Sequence, residues 1–309
     1  MRPRRFMQLD VFSPAPYQGN PLAVVLDGEG LSDAQMQDFA RWTNLSETTF
    51  LLPPTTPGAD YRVRIFTPSN ELPFAGHPTL GSCQAWLAAG GQPAQAGRVV
   101  QECAKGLVAL QPLAADRTVW SFAAPSTRRQ PITEAQLLPV LQALQLPREA
   151  VLACQQLDNG PNFWALLLRD ADSVFAAQPD FAALYAMQVE VGLAALYPRQ
   201  DEAPGLIARS SREARAFAQS AAEQAAEPDI EVRAFFNATT TACEDPITGS
   251  FNASLAQWLI DEGHIQAPYL ASQGVALGRQ GLVHIEQDAA GQVWVGGQVS
   301  LCVQGTVQL

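Results

Sequence analysis

Short segments of alternating or continuous apolar residues recur along the chain, separated by turns rich in glycine and proline. Residues 61–66 alternate between apolar and polar side chains, which predicts a half-buried strand, and the β-branched and apolar residues 47–52 predict another. Ser32 precedes apolar residues at helical spacing and predicts a helix that runs to Trp42. Residues 75–79 lead into a second predicted helix, which Gly90-Gly91 stops. The pattern predicts many short strands and few helices.

The second half of the chain repeats motifs of the first half in the same order. Glu71-x-Pro-x-x-Gly76 and Glu244-x-Pro-x-x-Gly249 lie 173 residues apart, and each opens a predicted helix. Upstream of these motifs stand the related segments 63–66 and 232–235. A long repeat that occurs twice predicts two similar lobes rather than a solenoid.

The predicted lobes divide the chain near its middle. Its 309 residues are about twice the length of a typical domain, and the polar, proline-bounded segment 125–131 predicts a linker. We therefore expect an N-terminal lobe of residues 1–124 and a C-terminal lobe of residues 125–309. The last strand of the C-terminal lobe could pack on the first lobe. In each α+β lobe, a curved sheet is expected to wrap a largely apolar helix such as residues 80–87.

The two repeated glycines, Gly76 and Gly249, stand at predicted helix starts. The first turn of a helix has unpaired N–H groups and the positive end of the helix dipole, so it binds carboxylate or enolate oxygens. Two such starts related by a pseudo-twofold axis would face each other across the cleft between the lobes and hold an organic anion there. The alternative is that both glycines only form tight turns.

Glu47 is the leading candidate for an acid–base group. It stands at the start of an otherwise apolar strand, where burial would raise the pKa of its carboxyl towards neutrality, as a general acid–base group requires. The alternative is a solvated glutamate or one that caps neighbouring backbone. Alignment of Pro53 with Pro198 puts Gly192 opposite Glu47, which predicts that the scaffold is duplicated but the carboxyl is not.

Other polar residues near the repeated glycines are weaker candidates. His77 can donate a proton or a hydrogen bond to a substrate, but a packed or solvated histidine is the alternative. Asp245, Thr248 and Ser250 flank the second glycine and are equally ordinary helix-capping residues.

Composition narrows the classes of partner and cofactor. Lys and Arg number 19 against 30 Asp and Glu, a net charge of −11, which argues against nucleic acid and anionic membrane as partners. No apolar run is long enough to span a bilayer. Five cysteines without C-x-x-C spacing indicate reduced thiols and a cytoplasmic protein, and three histidines without ligand spacing leave little for a metal site. No nucleotide-binding glycine loop occurs, so no cofactor is expected.

A set of motifs resembles the PhzF-like family of phenazine-biosynthesis proteins. The motifs run in the family's order from about residue 6 to the C-terminus: Gly19-Asn-Pro-Leu-Ala-Val, Asn44-Leu-Ser-Glu-Thr-Thr-Phe, Phe66-Thr-Pro-Ser-Asn-Glu-Leu-Pro-Phe-Ala-Gly-His-Pro-Thr, Glu244-Asp-Pro-Ile-Thr-Gly-Ser and Gln273-Gly with Gly278-Arg. The resemblance implies the diaminopimelate-epimerase fold, in which two lobes each roll a mostly antiparallel sheet around a central helix. It also implies a homodimer that needs no metal or organic cofactor.

The resemblance assigns roles to the candidates. Glu47 matches the family's proton-transferring glutamate, and the related epimerases have cysteines where this chain has His77 and Ser250, which argues against a two-cysteine mechanism. The implied substrate-binding residues are His77, Asp245, Ser250, Gly76, Gly249, Asn20 and Thr248.

These observations predict an isomerase that shifts a proton on a small anionic metabolite, with Glu47 removing the proton and returning it to another carbon. One rival is a racemase or epimerase that uses two bases on opposite faces of an amino-acid-like substrate. The other is a non-catalytic protein that binds a small molecule on the same fold.

Overall fold

The computed structural model describes residues 1–114, 116, 119–198, 227–238 and 240–309. These residues form 18 strands, six helices and two short 3₁₀ turns. The strands are β1 Pro3–Val11, β2 Asn20–Val25, β3 Glu47–Leu52, β4 Tyr61–Phe66, β5 Glu71–Leu72, β6 Val99–Cys103, β7 Gly106–Pro112, β8 Trp120–Ala123, β9 Arg128–Gln130, β10 Val151–Asp158, β11 Asn162–Leu168, β12 Glu190–Leu196, β13 Ile230–Asn237, β14 Ala242–Asp245, β15 Tyr269–Gln273, β16 Gly281–Gln287, β17 Val293–Gly297 and β18 Val299–Gln308. The helices are α1 Asp33–Thr43, α2 Gly76–Ala88, α3 Glu134–Leu144, α4 Ala171–Ala176, α5 Phe181–Met187 and α6 Gly249–Asp261.

The strands form two sheets with the same order, joined by one pairing. The N-terminal sheet runs β18–β1–β2–β3–β4–β6–β7–β8, with β5 beside β4. The C-terminal sheet runs β9–β10–β11–β12–β13–β15–β16–β17, with β14 beside β13. Pairing of β8 with β17 connects them. Most pairs are antiparallel, and the parallel ones, β2–β3 and β4–β6, recur as β11–β12 and β13–β15. The predicted fold class is confirmed.

One edge strand of each sheet directly follows, along the chain, the last strand of the other sheet. The last strand, β18, pairs with β1 of the N-terminal sheet. Its counterpart β9 comes from the predicted linker and pairs with β10 of the C-terminal sheet. The segment 125–131 is therefore partly a strand rather than only a connector. The division of the chain at residue 124 stays a prediction.

A helix lies at the centre of each sheet. The 13-residue helices α2 and α6 have nine and ten buried residues, so they are buried around most of their circumference. Helix α1 begins with the capping box of Ser32 and Gln35 and covers the outer face of the N-terminal sheet with Met36, Phe39 and Ala40. The C-terminal part has four described helices, because α3, α4 and α5 cover the outer face of its sheet in a separate apolar cluster.

The duplication extends to a charged pair on the strand before each central helix. Arg64 contacts both carboxylate oxygens of Glu71 at 2.7 and 2.6 Å, and Arg233 contacts those of Glu244 at 2.9 and 2.8 Å. Each guanidinium also lies 5.1 Å from the ring centre of the phenylalanine two residues later. The two pairs differ in burial, because the N-terminal arginine side chain is 23% exposed and the C-terminal one is 6% exposed.

This difference predicts unequal effects of one substitution at equivalent positions. Arg233→Met leaves the Glu244 carboxylate buried without its partner, so we expect the free energy of unfolding to fall by about 3–5 kcal/mol. Arg64→Met serves as the matched control and should cost about 1 kcal/mol or less. Urea unfolding of both variants measures the two losses of unfolding free energy. Equal losses would show that the difference in burial does not change the contribution of these ion pairs to stability.

Candidate active site

Helices α2 and α6 meet at their first residues. A Cβ atom on Gly76 would lie 2.6 Å from the carbonyl carbon of Gly249, so the backbones touch and only glycine fits. The N-cap residues, Ala75 and Thr248, do not cap their helices with their own side chains. The two predicted helix starts therefore lie together. Their first N–H groups are not bonded by an N-cap side chain, and such groups are suited to bind an anion.

Glu47 lies beside the start of α2. It is the first residue of β3, its side chain is 14% exposed, and its Oε2 atom lies 3.4 Å from Nδ1 of His77. Burial, and next the charge of Asp245, raise the pKa of Glu47 well above its ordinary range. Oε2 of Glu47 and Nε2 of His77 are both buried, and neither has a hydrogen-bond partner among the described residues.

The imidazole of His77 is neutral at physiological pH. Burial lowers its pKa to about 3, although a hydrogen bond to the backbone of Pro21 opposes the shift. Burial shifts the pKa of the Glu47 carboxyl in the opposite direction, upwards, so both shifts oppose the formation of an ion pair between these two close groups.

Asp245 connects the two lobes at the site. Its Oδ1 atom accepts a hydrogen bond from Asn20 of β2 at 2.9 Å, and its Oδ2 atom accepts one from Thr248 at 2.7 Å. Asn20 also donates to the carbonyl of Ile247 at 2.9 Å and lies 3.4 Å from the His77 ring. Four predicted site residues from three separate parts of the sequence therefore form one buried network.

The proton affinity of Asp245 is raised in spite of these bonds. Burial raises its pKa to about 6, while hydrogen bonds from Thr248, Asn20 and Ser46 work in the opposite direction. At neutral pH its carboxylate is therefore close to its titration range.

Two buried amides that were not predicted as site residues support the start of α6. Gln273 accepts a hydrogen bond from the backbone N–H of Thr248 at 3.0 Å and donates to its hydroxyl at 2.9 Å. Asn252 donates to the same Gln273 oxygen at 2.9 Å. The Gln273-Gly motif was a visible signal for this role, whereas Asn252 had none beyond its position inside an apolar helix.

Ser250 is the counterpart of His77, since each follows its helix-starting glycine. It is 5% exposed, and its backbone carbonyl accepts a hydrogen bond at 2.8 Å from Asn159 in the β10–β11 turn. All eight predicted site residues thus gather around the joined helix starts. Their roles in binding and catalysis stay predictions.

The alignment that left Glu47 without a counterpart is wrong by two residues. Phe66 and Phe235 are counterparts, and each pairs with the second residue of the strand before it. The first residues of those strands are Glu47 and Glu190. Gly192 had appeared opposite Glu47 because β12 is one residue longer than β3 and its following proline stands one residue further on. A carboxyl is therefore present at the same place in both lobes.

The one cysteine of helix α2 has an environment that disfavours thiol chemistry. Cys83 in α2 is fully buried, and burial raises the pKa of its thiol, which disfavours the reactive thiolate. Across the described residues, no group of three or more His, Cys, Asp or Glu is arranged to hold a metal ion. None of the described helices is long and apolar enough to cross a membrane.

Comparison with known proteins gives a consistent picture. Residues 9–305 match the family model PhzC-PhzF, described as phenazine biosynthesis-like protein. The trans-2,3-dihydro-3-hydroxyanthranilate isomerase of Pseudomonas aeruginosa is 33% identical over 93% of this chain and 92% of its own. Antisense-enhancing sequence 1 of Schizosaccharomyces pombe is 34% identical over 99% of each chain. A PhzF-family protein of Bacillus anthracis has the same fold, with a TM-score of 0.77 at 18% identity over 100% of both chains.

The raised pKa of Glu47 predicts that this residue destabilises the folded protein at higher pH. Below the unfolded-state pKa, about 4.3, both states are protonated and the contribution to stability is complete. As pH rises from there towards the folded-state pKa, the unfolded state ionises first and stability falls. Glu47→Gln does not titrate, so its melting temperature should exceed that of the wild type by more at about pH 8 than at about pH 5.

Exposed Glu149 supplies the control for that measurement. Glu149→Gln should differ from the wild type by a similar small amount at both pH values. A Glu47→Gln melting temperature that falls further below the wild type as pH rises would show that the fold stabilises the Glu47 carboxylate. That result would contradict a raised pKa for this carboxyl.

Proposed function

The chain belongs to the PhzC-PhzF family and is an isomerase, and we propose that it moves a proton between two positions of a small carboxylate-bearing metabolite without metal or organic cofactor. The observation that carries this proposal is the Glu47 carboxyl. It is desolvated, it has an oxygen without a hydrogen-bond partner among the described residues, and it lies beside the start of a helix. That combination suits a group that exchanges a proton with a bound molecule.

The joined helix starts are the proposed anion site. A substrate carboxylate accepts hydrogen bonds from the first N–H groups of α2 and α6, which are fixed before the substrate arrives. The contact between Gly76 and Gly249 supports this role because it presents both helix ends to one place. The same positive ends lower the energy of the negative charge that develops when a proton leaves the adjacent carbon.

Glu47 transfers the proton in the proposed mechanism. As a carboxylate it takes a proton from a carbon next to an unsaturated or carbonyl centre, and the electron pair of the broken C–H bond moves into the conjugated system. A proton then adds to a different carbon, which gives the isomer. Burial raises the pKa of the Glu47 carboxyl, which favours a group that both accepts and returns a proton.

The neighbouring residues hold the substrate in the proposed mechanism. His77 is neutral and offers a hydrogen bond from or to its unpartnered ring nitrogen. Asp245 and Asn20 form a polar wall that spans both lobes, and Thr248 and Ser250 present hydroxyls at the start of α6. Together they bind donor and acceptor groups of a small polar metabolite. The identity of the P. aeruginosa relative supports a cyclic amino-carboxylate as the first compound to test.

A racemase or epimerase with two bases is the second candidate function. The observation that favours it is Glu190, the counterpart of Glu47 in the other lobe. A non-catalytic binding protein is the remaining alternative, and such a protein would not exchange substrate protons with solvent.

We further propose that the protein is a cytoplasmic homodimer. Its acidic composition and reduced cysteines support the compartment, and the dimer rests on the family resemblance. Light scattering at micromolar concentration tests the assembly, and the mass of a single chain would contradict it.

The test of the function follows deuterium from D₂O into trans-2,3-dihydro-3-hydroxyanthranilate and its isomer by NMR. The wild type should incorporate deuterium at carbon, and Glu47→Gln should lose product formation by about 10²–10⁴-fold or more while it still binds the ligand. Gln keeps the size of Glu and can hydrogen bond, but it cannot carry the proton. His77→Ala should weaken binding and rate together because it contacts the substrate before and during the reaction.

Glu149→Gln is the matched surface control and should react as the wild type does. An active Glu47→Gln enzyme would remove the central residue of the proposal. A folded wild type that exchanges no proton of this compound would contradict the proposed reaction on it.

A further inference from the structure

Glu190 occupies in the C-terminal lobe the position that Glu47 occupies in the N-terminal lobe. Each is the first residue of a strand that runs parallel to its preceding neighbour and antiparallel to the next strand. The duplicated Arg–Glu pairs fix the register of that next strand in both lobes, because they place Phe66 and Phe235 at the same point. The equivalence of the two glutamates therefore rests on strand pairing rather than on sequence alignment.

The side chain of Glu190 is on the inner face of its sheet. A Cβ atom on Gly192 would overlap the ring of Phe251, so this part of β12 faces the central helix α6. Side chains two residues apart on a strand share a face, which places Glu190 on the inner face too. Its strand neighbour Phe163 has a ring centre 5.0 Å from that of Phe251, the third residue of α6. These contacts place Gly192, two residues after Glu190, and Phe163, the β11 neighbour of Glu190, against the first turn of α6.

A row of paired residues across three strands connects the strand of Glu190 to Asp245. Gly192, Ala234 and Asp245 pair with one another across β12, β13 and β14, and Glu190 stands two residues before Gly192 on the same face. With strands about 4.8 Å apart and residues about 3.4 Å apart, the Cα atoms of Glu190 and Asp245 are separated by about 12 Å. Two carboxyl side chains cover much of that distance.

The electrostatic surroundings agree with this placement. Burial raises the pKa of Glu190 to about 7, the charge of Asp245 adds to the rise, and a hydrogen bond from the backbone of Asn237 opposes it. The same Asp245 charge raises the pKa of Glu47. The charge of Asp245 therefore acts on two carboxyls that belong to opposite lobes.

We propose that Glu190 is a second acid–base residue of this site, which exchanges a proton with the substrate from the lobe opposite Glu47. The inference rests on the proposed function and deepens it by naming the group that returns the proton. Glu47, as a carboxylate, takes a proton from one carbon, and the electron pair of that C–H bond moves into the conjugated system. Glu190, as a carboxylic acid, gives its proton to a second carbon or to the opposite face of the molecule.

After one turnover the proton count is balanced. Glu47 has gained one proton, Glu190 has lost one, and the substrate and its isomer have the same composition. Exchange of both carboxyls with water restores the starting state, and the reverse reaction uses the two residues in exchanged roles. An isomerase with this arrangement introduces solvent hydrogen at the second carbon instead of moving the original one.

The test measures proton removal and isomer formation separately. With trans-2,3-dihydro-3-hydroxyanthranilate in D₂O, Glu190→Gln should still exchange the proton that Glu47 removes, so deuterium enters unreacted substrate. Formation of the isomer should fall by about 10²–10⁴-fold. Glu47→Gln should lose both exchange and isomer, and Glu149→Gln should lose neither. A Glu190→Gln enzyme that forms isomer at the wild-type rate, or that loses exchange and product together, would overturn the proposal.

A titration of the protein decides the assignment without turnover. Carboxyl ¹³C NMR of protein labelled at Glu, with the Glu190 signal assigned by Glu190→Gln, should give a midpoint for Glu190 near its pKa of about 7. Asp245→Asn should lower that midpoint. A Glu190 midpoint near the ordinary value of about 4.3 would overturn the proposal. A wild type that leaves the dihydro compound unchanged while Glu190 titrates as expected would count against the proposed function and leave the Glu190 assignment supported.

Discussion

The contact between the first residues of α2 and α6 is the constraint on which the rest of the site depends. Each helix start carries a partial positive charge, and the two starts touch through Gly76 and Gly249. Negative charge nearby stabilises such an arrangement. The surrounding carboxyl groups supply only part of that charge. Asp245 and Glu47 are both close by, and burial raises the pKa of each carboxyl, which disfavours their charged forms. The proposed binding of an external anion therefore meets less competition from a fixed carboxylate at the same place.

The two central helices also explain why the lobes share a core. Phe12 donates its backbone N–H to Gln298 and accepts from Leu282, so the turn after β1 is held by the C-terminal sheet. Its ring lies against Gly249 and Gly297. Together with the β8–β17 pairing, these contacts set the distance between the helix starts. A shift of one lobe against the other would separate the two helix starts and change the distance between the two glutamates, because each lobe contributes one of each.

The sequence predicts the parts of the fold and site that have local signals. The spacing of Gly76 and Gly249 shows the duplication, and the apolar strand around Glu47 shows an unusual carboxyl. The link between Asn20 and Asp245 has no local signal, since 225 residues separate the two side chains. The counterpart of Glu47 was missed for a different reason. Strand register is set by pairing, whereas the prolines used for alignment lie beyond the strand ends, where lengths differ between the lobes. The short strand β9 was missed because Arg128–Gln130 is exposed and polar and forms a strand only against β10.

Neutron diffraction of crystals grown in D₂O tests the central claim most directly, because it locates the protons on Glu47 and His77. At about pH 6, well above the ordinary glutamate pKa of about 4.3, we expect a deuteron on the Glu47 carboxyl and a single deuteron on the His77 ring. The two groups would then form a neutral pair beside the helix starts. An ionised Glu47 facing a doubly deuterated His77 would contradict the claim, since it would show a stable ion pair where burial should favour the neutral form of both groups.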